Sequence, residues 1–144
     1  MKKAASLLVT ALLAAPVLSG CGGDSAYCAA VKDKQSTLDS FGSKKTDNSF
    51  SAYTKVARAI AKEAPAGAKK DWTALADATA GVLKAHRAAG IRLEDMTDKD
   101  KVAALGTDQL AKLNDAYDTF NSTTKKQGEA VVDNVSAECD ITLT

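Results

Sequence analysis

Apolar residues along this chain return every three or four positions and hardly ever alternate, so the pattern predicts helices almost throughout. A first helix is expected to begin at Asp24 or Ser25, whose side chains can accept hydrogen bonds from first-turn amides. It carries Tyr27, Val31, Leu38 and Phe41 on one face, and Gly42 closes it. The polar stretch 42–49 reads as a loop. A second helix starts around Ser49 with Phe50, Tyr53, Val56 and Ile60 in one stripe, and Pro65 with Gly67 marks its end. A third runs from about Ala68 to Ala89 with Trp72, Leu75, Thr79, Val82, Leu83 and His86 on one side, and Gly90 stops it. After an irregular stretch over 90–97, Thr97 with Asp100 imitates a capping box and opens a short helix through Leu105. Gly106 breaks that helix and Thr107 caps the last one. The last stripe is the longest: Leu110, Leu113, Tyr117, Phe120, Thr124, Gln127, Val131 and Val135. Gly128 is its candidate bend, since an interior glycine costs ~1 kcal/mol relative to alanine.

Four main helices with connections of this length predict an all-α antiparallel bundle. In such a bundle the connections alternate between ends. The start of the first helix, the Pro65–Gly67 turn and the end of the last helix share one end, while 42–49 and 90–106 project from the other.

The beginning of the chain breaks the helical stripe pattern. Lys2 and Lys3 precede an apolar run from Leu7 to Leu18, and small residues crowd up to Cys21. That is the layout of an export signal. The run is interrupted by Pro16 and is shorter than the ~20 apolar residues a spanning helix needs. Leu18-Ser19-Gly20-Cys21 resembles the lipobox of bacterial lipoproteins. The resemblance implies that residues 1–20 are removed as a signal peptide, that the Cys21 thiol carries a diacylglyceryl group built from fatty acids such as palmitate, and that the mature protein sits on the extracytoplasmic face of the cell membrane. Each buried CH₂ contributes ~0.8 kcal/mol, and more than one acyl chain makes the anchor durable.

Formal charge is +1 for the whole chain, and losing Lys2 and Lys3 would leave the remainder close to neutral. Nothing here predicts a nucleic-acid partner or a polybasic lipid surface. With Cys21 assigned to lipid, Cys28 and Cys139 remain, near the two ends of the mature chain. Export implies an oxidising compartment, so a Cys28–Cys139 disulfide is expected. The expected organisation is a signal over 1–20, a lipidated start and tether over 21–26, and one helical domain over 27–144.

Catalytic and metal signatures are sparse. His86, the chain's single histidine, continues an apolar stripe, and no motif ties a nucleophile to it. Glu94, Asp95, Asp98 and Asp100 lack the alternating spacing, central glycine and terminal glutamate of a calcium loop, and read as solvated and helix-capping carboxylates. There is no Cys-x-x-Cys. Neither an enzyme, a metal site nor a cofactor is expected. Trp72, Tyr53, Tyr117 and Phe120 fall on helical stripes and read as core rather than as a ligand pocket. Asn121-Ser122-Thr123 and Asn134-Val135-Ser136 fit a glycosylation pattern that carries little weight in a bacterial lipoprotein, and Lys69, Lys70, Lys125 and Lys126 read as solvated helix faces.

A segment as short as 22–26 reaches only ~20 Å when extended. The cysteine-bearing end of the bundle is therefore expected beside the membrane, and the two long loops away from it. Long loops disproportionately carry binding residues. The partner-contact candidates are Lys44 and Lys45 on one loop with Arg92, Glu94, Asp95 and Asp98 on the other. The overall plan is similar to that of small lipoproteins of high-GC Gram-positive bacteria, in which an Ala-rich helical domain with a terminal cysteine pair follows the anchor. That likeness carries no activity with it. The expected role is non-enzymatic binding or scaffolding of another envelope component, with a surface inhibitor or immunity protein and a small apolar-ligand carrier as alternatives.

Overall fold

A computed structural model describes residues 25–144, so the signal segment, the Leu18–Cys21 motif and the tether through Asp24 lie outside the described residues. Helix α1 spans Ala26–Asp39, α2 Asp47–Glu63, α3 Ala66–Ala89, α4 Lys99–Ala103 and α5 Thr107–Cys139, with a 3₁₀ turn over Leu93–Thr97. No strand occurs among the described residues. Four main helices form an antiparallel bundle, and none of the described helices is long and apolar enough to cross a membrane.

Each of the four main helices buries the face its stripe predicts, with Val56 of α2 only half-buried. In α2 the buried positions are Phe50, Tyr53, Thr54, Ala57, Ile60 and Ala61, which repeat by three and four and line one side. Helix α3 is the central element, packing against both α2 and α5 along its length and burying Trp72, Leu75, Thr79, Val82, Leu83 and His86. The buried threonines satisfy themselves locally: Thr54 Oγ1 donates to the Phe50 carbonyl at 2.8 Å and Thr79 Oγ1 to that of Leu75 at 2.7 Å. Helix α5 buries Leu113, Val131, Val135 and Cys139 fully, leaving Tyr117 and Phe120 half-buried.

Caps depart from the sequence expectation by a residue or two, for local reasons. Helix α2 begins at Asp47 because Thr46 is the N-cap. Its Oγ1 accepts from Ser49 N–H at 3.1 Å, and Ser49 Oγ accepts from Thr46 N–H at 3.2 Å, so Ser49 is the return arm of a capping box and not its start. Pro65 opens α3 instead of merely ending α2, and Gly67 lies inside that helix, since a proline at helix entry forfeits no intrahelical bond. Asp98, not Thr97, caps α4, accepting from the amides of Asp100 and Lys101 at 3.1 and 3.3 Å. Gly106 holds the N-cap position of α5, where Gln109 Oε1 accepts from its amide at 2.8 Å. Phe41 lies beyond the end of α1, in the turn that Gly42 completes at φ +93°. From there it stacks on Tyr53, ring centroids 3.8 Å apart, and meets Phe50 and Phe120 at 5.2 and 6.2 Å.

The expected bridge is present. Cys28 and Cys139 are joined with Cα atoms 5.2 Å apart, at the end of the bundle where α1 begins and α5 finishes. Beside the bridge, Trp72 Nε1 donates to Tyr27 Oη at 3.0 Å, and Tyr27 Oη donates to Asn134 Oδ1 at 2.8 Å. One chain of hydrogen bonds thereby ties α3, α1 and α5. Asp140 then turns in the left-handed region, φ 54°, and sends 140–144 back along α1. Gln35 Nε2 donates to the Thr142 carbonyl and Thr144 N–H to Asp39 Oδ1, each at 3.1 Å, while Ile141 and Leu143 pack on the core.

Candidate functional site

At the end of the bundle opposite the disulfide, α2 begins and α3 finishes side by side, and this adjacency builds a charged tip. Asp47, in the first turn of α2, donates its N–H to Glu94 Oε2 at 3.1 Å, and its Oδ1 accepts from Leu93 N–H at 3.1 Å. Leu93 is buried with Phe50, Val82 and Leu83, so the 3₁₀ turn is pinned by an apolar plug and two reciprocal hydrogen bonds. The loops over 40–46 and 90–98 therefore form one surface rather than two independent connections.

The charges on that surface are largely paired with one another. Arg92 grips Asp95 through Nε at 3.1 Å and Nη2 at 3.3 Å, and its Nη1 lies 3.4 Å from Glu94 Oε1. Lys101 Nζ reaches Asp95 Oδ1 at 2.7 Å and Asp98 Oδ2 at 3.8 Å. Hydrogen bonds from Arg92 and then Lys101 hold the Asp95 carboxyl down at about 2, and the Asp47 amide lowers that of Glu94. Asp95 raises both Arg92 and Lys101 in return. Because Asp95 is depressed in the folded chain, the stability it contributes is present above its ordinary value near 3.8 and fades as pH falls towards about 2.

Of the six residues singled out from sequence as partner contacts, all lie at this end. Arg92, Glu94, Asp95 and Asp98 are drawn into the network, Asp95 most deeply. Lys44 and Lys45 are exposed on the neighbouring loop and make no ion pair among the described residues. Sequence reasoning missed Asp47 and Lys101, which organise the tip. Asp47 sits two positions before the expected start of its helix, and its partners are 46 and 47 residues away, so no local signal marked it.

His86 lies in the core, 1 % exposed. Its Nδ1 is 3.2 Å from the Ile91 carbonyl and its Nε2 2.8 Å from Tyr117 Oη. A carbonyl can only accept, so Nδ1 donates in the first bond, and Nε2 shares the second with the tyrosine hydroxyl, which can serve as donor or acceptor. Both nitrogens are thereby engaged in joining α3 to the chain after it and to α5. Among the described residues no three His, Cys, Asp or Glu side chains are grouped to hold a metal ion. Cys21 lies outside the described residues. No protein-family model, curated protein or solved structure matches this chain.

Proposed function

We propose that the protein is a lipid-anchored lipoprotein of the bacterial cell envelope, held on the extracytoplasmic face of the membrane through Cys21, whose helical domain binds or scaffolds another envelope component without catalysis. The observation that carries the binding role is the tip: two loops cross-tied by Asp47, Leu93 and Glu94, bearing a paired charge network and two exposed lysines. A surface whose side chains are already fixed loses less conformational entropy on association than mobile loops would. The anchor rests on the lipobox-like Leu18-Ser19-Gly20-Cys21, only four residues before the Ser25 cap of α1. Such a tether extends at most ~14 Å, so an anchored chain turns its disulfide end to the lipid and its tip to the envelope. A disulfide agrees with an exported domain.

The anchor and the tip are tested separately. Feeding cells an alkynyl palmitate analogue should label the wild-type chain in the membrane fraction and leave Cys21→Ser unlabelled; equal labelling of both would overturn the anchor. In vivo crosslinking should then yield a defined adduct that Lys44→Glu with Lys45→Glu removes while the fold, followed by circular dichroism, is kept. Adducts that persist unchanged in the doubly substituted chain would overturn the tip as the contact surface.

A further inference from the structure

Between the turn after α1, the inner faces of α2 and α3, and the middle of α5 lies a partly open cavity of about 200 Å³, walled by Phe41, Tyr53, Trp72, Thr124, Val131 and Leu143 among others. Its size is above the ~150 Å³ of an apolar cavity that takes up benzene and below the ~300–1,000 Å³ of sites for drug-sized ligands. One ring with a short substituent fits such a space. Val132, 40 % exposed and the exposed large hydrophobic residue among those described, stands at its rim.

Two hydroxyls on this wall have no hydrogen-bond partner. Thr124 Oγ1 is buried and unpaired, unlike Thr54 and Thr79, which bond to the carbonyl four residues back. The Tyr53 phenol, on a residue 8 % exposed, likewise has no protein partner among the described residues, but its oxygen keeps access to water. The Thr124 hydroxyl is the buried one of the two, and an unpaired hydroxyl in a buried setting is destabilising, so native proteins keep few of them. As it stands the Thr124 oxygen is closed off from the cavity as well as from solvent, and it turns towards a ligand through the second of the two χ1 wells open to a helical threonine. Burial pushes the Tyr53 phenol up to about 12, so it stays protonated near neutral pH and is available as a donor.

The wall also excludes a class of ligand. No charged side chain lines the cavity. A carboxylate or phosphate entering it would surrender its hydration with no cation to replace it, which is strongly unfavourable. We infer that this cavity is a binding site for a small neutral molecule, a single ring or its aliphatic equivalent carrying one carbonyl or similar acceptor oxygen, which takes hydrogen bonds from Tyr53 and Thr124. The inference does not depend on the lipid anchor or on the charged tip.

Acetophenone, ethylbenzene and benzoate are three single-ring probes of similar size that separate these requirements. Trp72 is the chain's one tryptophan, so its indole N–H gives a single assignable resonance beside the cavity. In ¹⁵N-labelled protein, acetophenone should shift the Trp72 indole and Leu143 amide resonances saturably. Ethylbenzene should bind roughly five- to thirty-fold more weakly, the scale of one to two net hydrogen bonds, and benzoate should produce no saturable shift. Tyr53→Phe and Thr124→Val should each reduce acetophenone affinity several-fold while leaving ethylbenzene unchanged, and Gly128→Leu, which fills the cavity, should abolish both. The amide spectrum of each variant reports in the same experiment that it is folded. Absence of saturable binding by both neutral probes, benzoate binding as tightly as acetophenone, ethylbenzene matching acetophenone, or unchanged acetophenone affinity in both hydroxyl variants would each overturn the inference.

Discussion

Cutting the Cys28–Cys139 bridge is the perturbation whose size the structure fixes best. The bridge closes a loop with a sequence separation of 111. In the chain-entropy treatment a loop of that length restricts the unfolded ensemble by about 4–5 kcal/mol at 25 °C. Unfolding entropy of ~2.1 cal/mol/K per residue, over the 120 described residues, converts this into a Tm loss of about 15–20 °C. The native geometry adds a spatial expectation. Helix α1 leans mainly on α2, and its contact with α5 is sparse, so the bridge and the Tyr27–Asn134 hydrogen bond hold that seam. Reduction should therefore raise hydrogen exchange first in α1 and in 140–144, with the amides of α3 the last to respond. Calorimetry with and without reductant, checked by thiol titration and by Cys28→Ala with Cys139→Ala, measures the loss. A Tm shift under about 5 °C with both thiols demonstrably free, or exchange rising evenly across all helices, would refute the reasoning.

Two further expectations concern single side chains. Tyr27→Phe removes the acceptor of Trp72 Nε1, which lies on a side chain 1 % exposed, and leaves it unpaired in the core. The expected loss is about 1–3 kcal/mol, read as a lower denaturant midpoint with an unchanged m-value, and a midpoint equal to wild type would show that Trp72 finds another acceptor. Gly81 lies inside α3, and a Cβ built there meets nothing within 4 Å. Gly81→Ala should stabilise by about 0.5–1 kcal/mol through helix propensity alone, and a fall in Tm would contradict that open surroundings.

The elements whose structure depends on neighbours along the chain were legible in the sequence, and those that depend on distant partners were not. The stripes of α2 and α3 identified their buried faces because a helix repeats its own geometry every few residues. Helix ends were harder, for a local reason: Thr46 and Ser49, or Thr97 and Asp98, are all competent caps, and which one accepts the amide is decided by how the next turn packs. The cysteine pair was legible because an even helix count brings both ends of the bundle together. The tip residues were found as charges, yet their role as mutual partners turns on Asp47, which the sequence placed in a loop. The strap over 140–144 left a signal that helical periodicity overlooks: Ile141-Thr142-Leu143-Thr144 alternates, as an extended segment does when one side packs on a core. The cavity left only the aromatics Tyr53 and Trp72, which line it but read from sequence as core, since a void is a property of how several stripes fail to fill the space between them.

The strap makes the disulfide and the cavity one mechanical unit. From Cys28 to Asp39 α1 rises ~1.5 Å per residue, about 17 Å in all, and an extended segment from Cys139 to Thr144 covers about 17 Å as well. The two paths match, so the segment is fixed at one end by the bridge and at the other by the Thr144 amide on Asp39. Leu143, near the second fixed point, is a wall of the cavity. Apart from the packing of Ile141 and Leu143, the segment is held by the Gln35–Thr142 and Asp39–Thr144 hydrogen bonds, both exposed, and it should loosen from α1 once the bridge no longer fixes its start. Reduction should therefore weaken acetophenone binding more than a global loss of stability explains, at temperatures well below unfolding. Asp39→Ala, which releases the far end and leaves the bridge intact, should weaken it in the same way. Equal affinity for oxidised, reduced and Asp39→Ala protein would show that the segment is packed by Ile141 and Leu143 alone and that the bridge serves stability only.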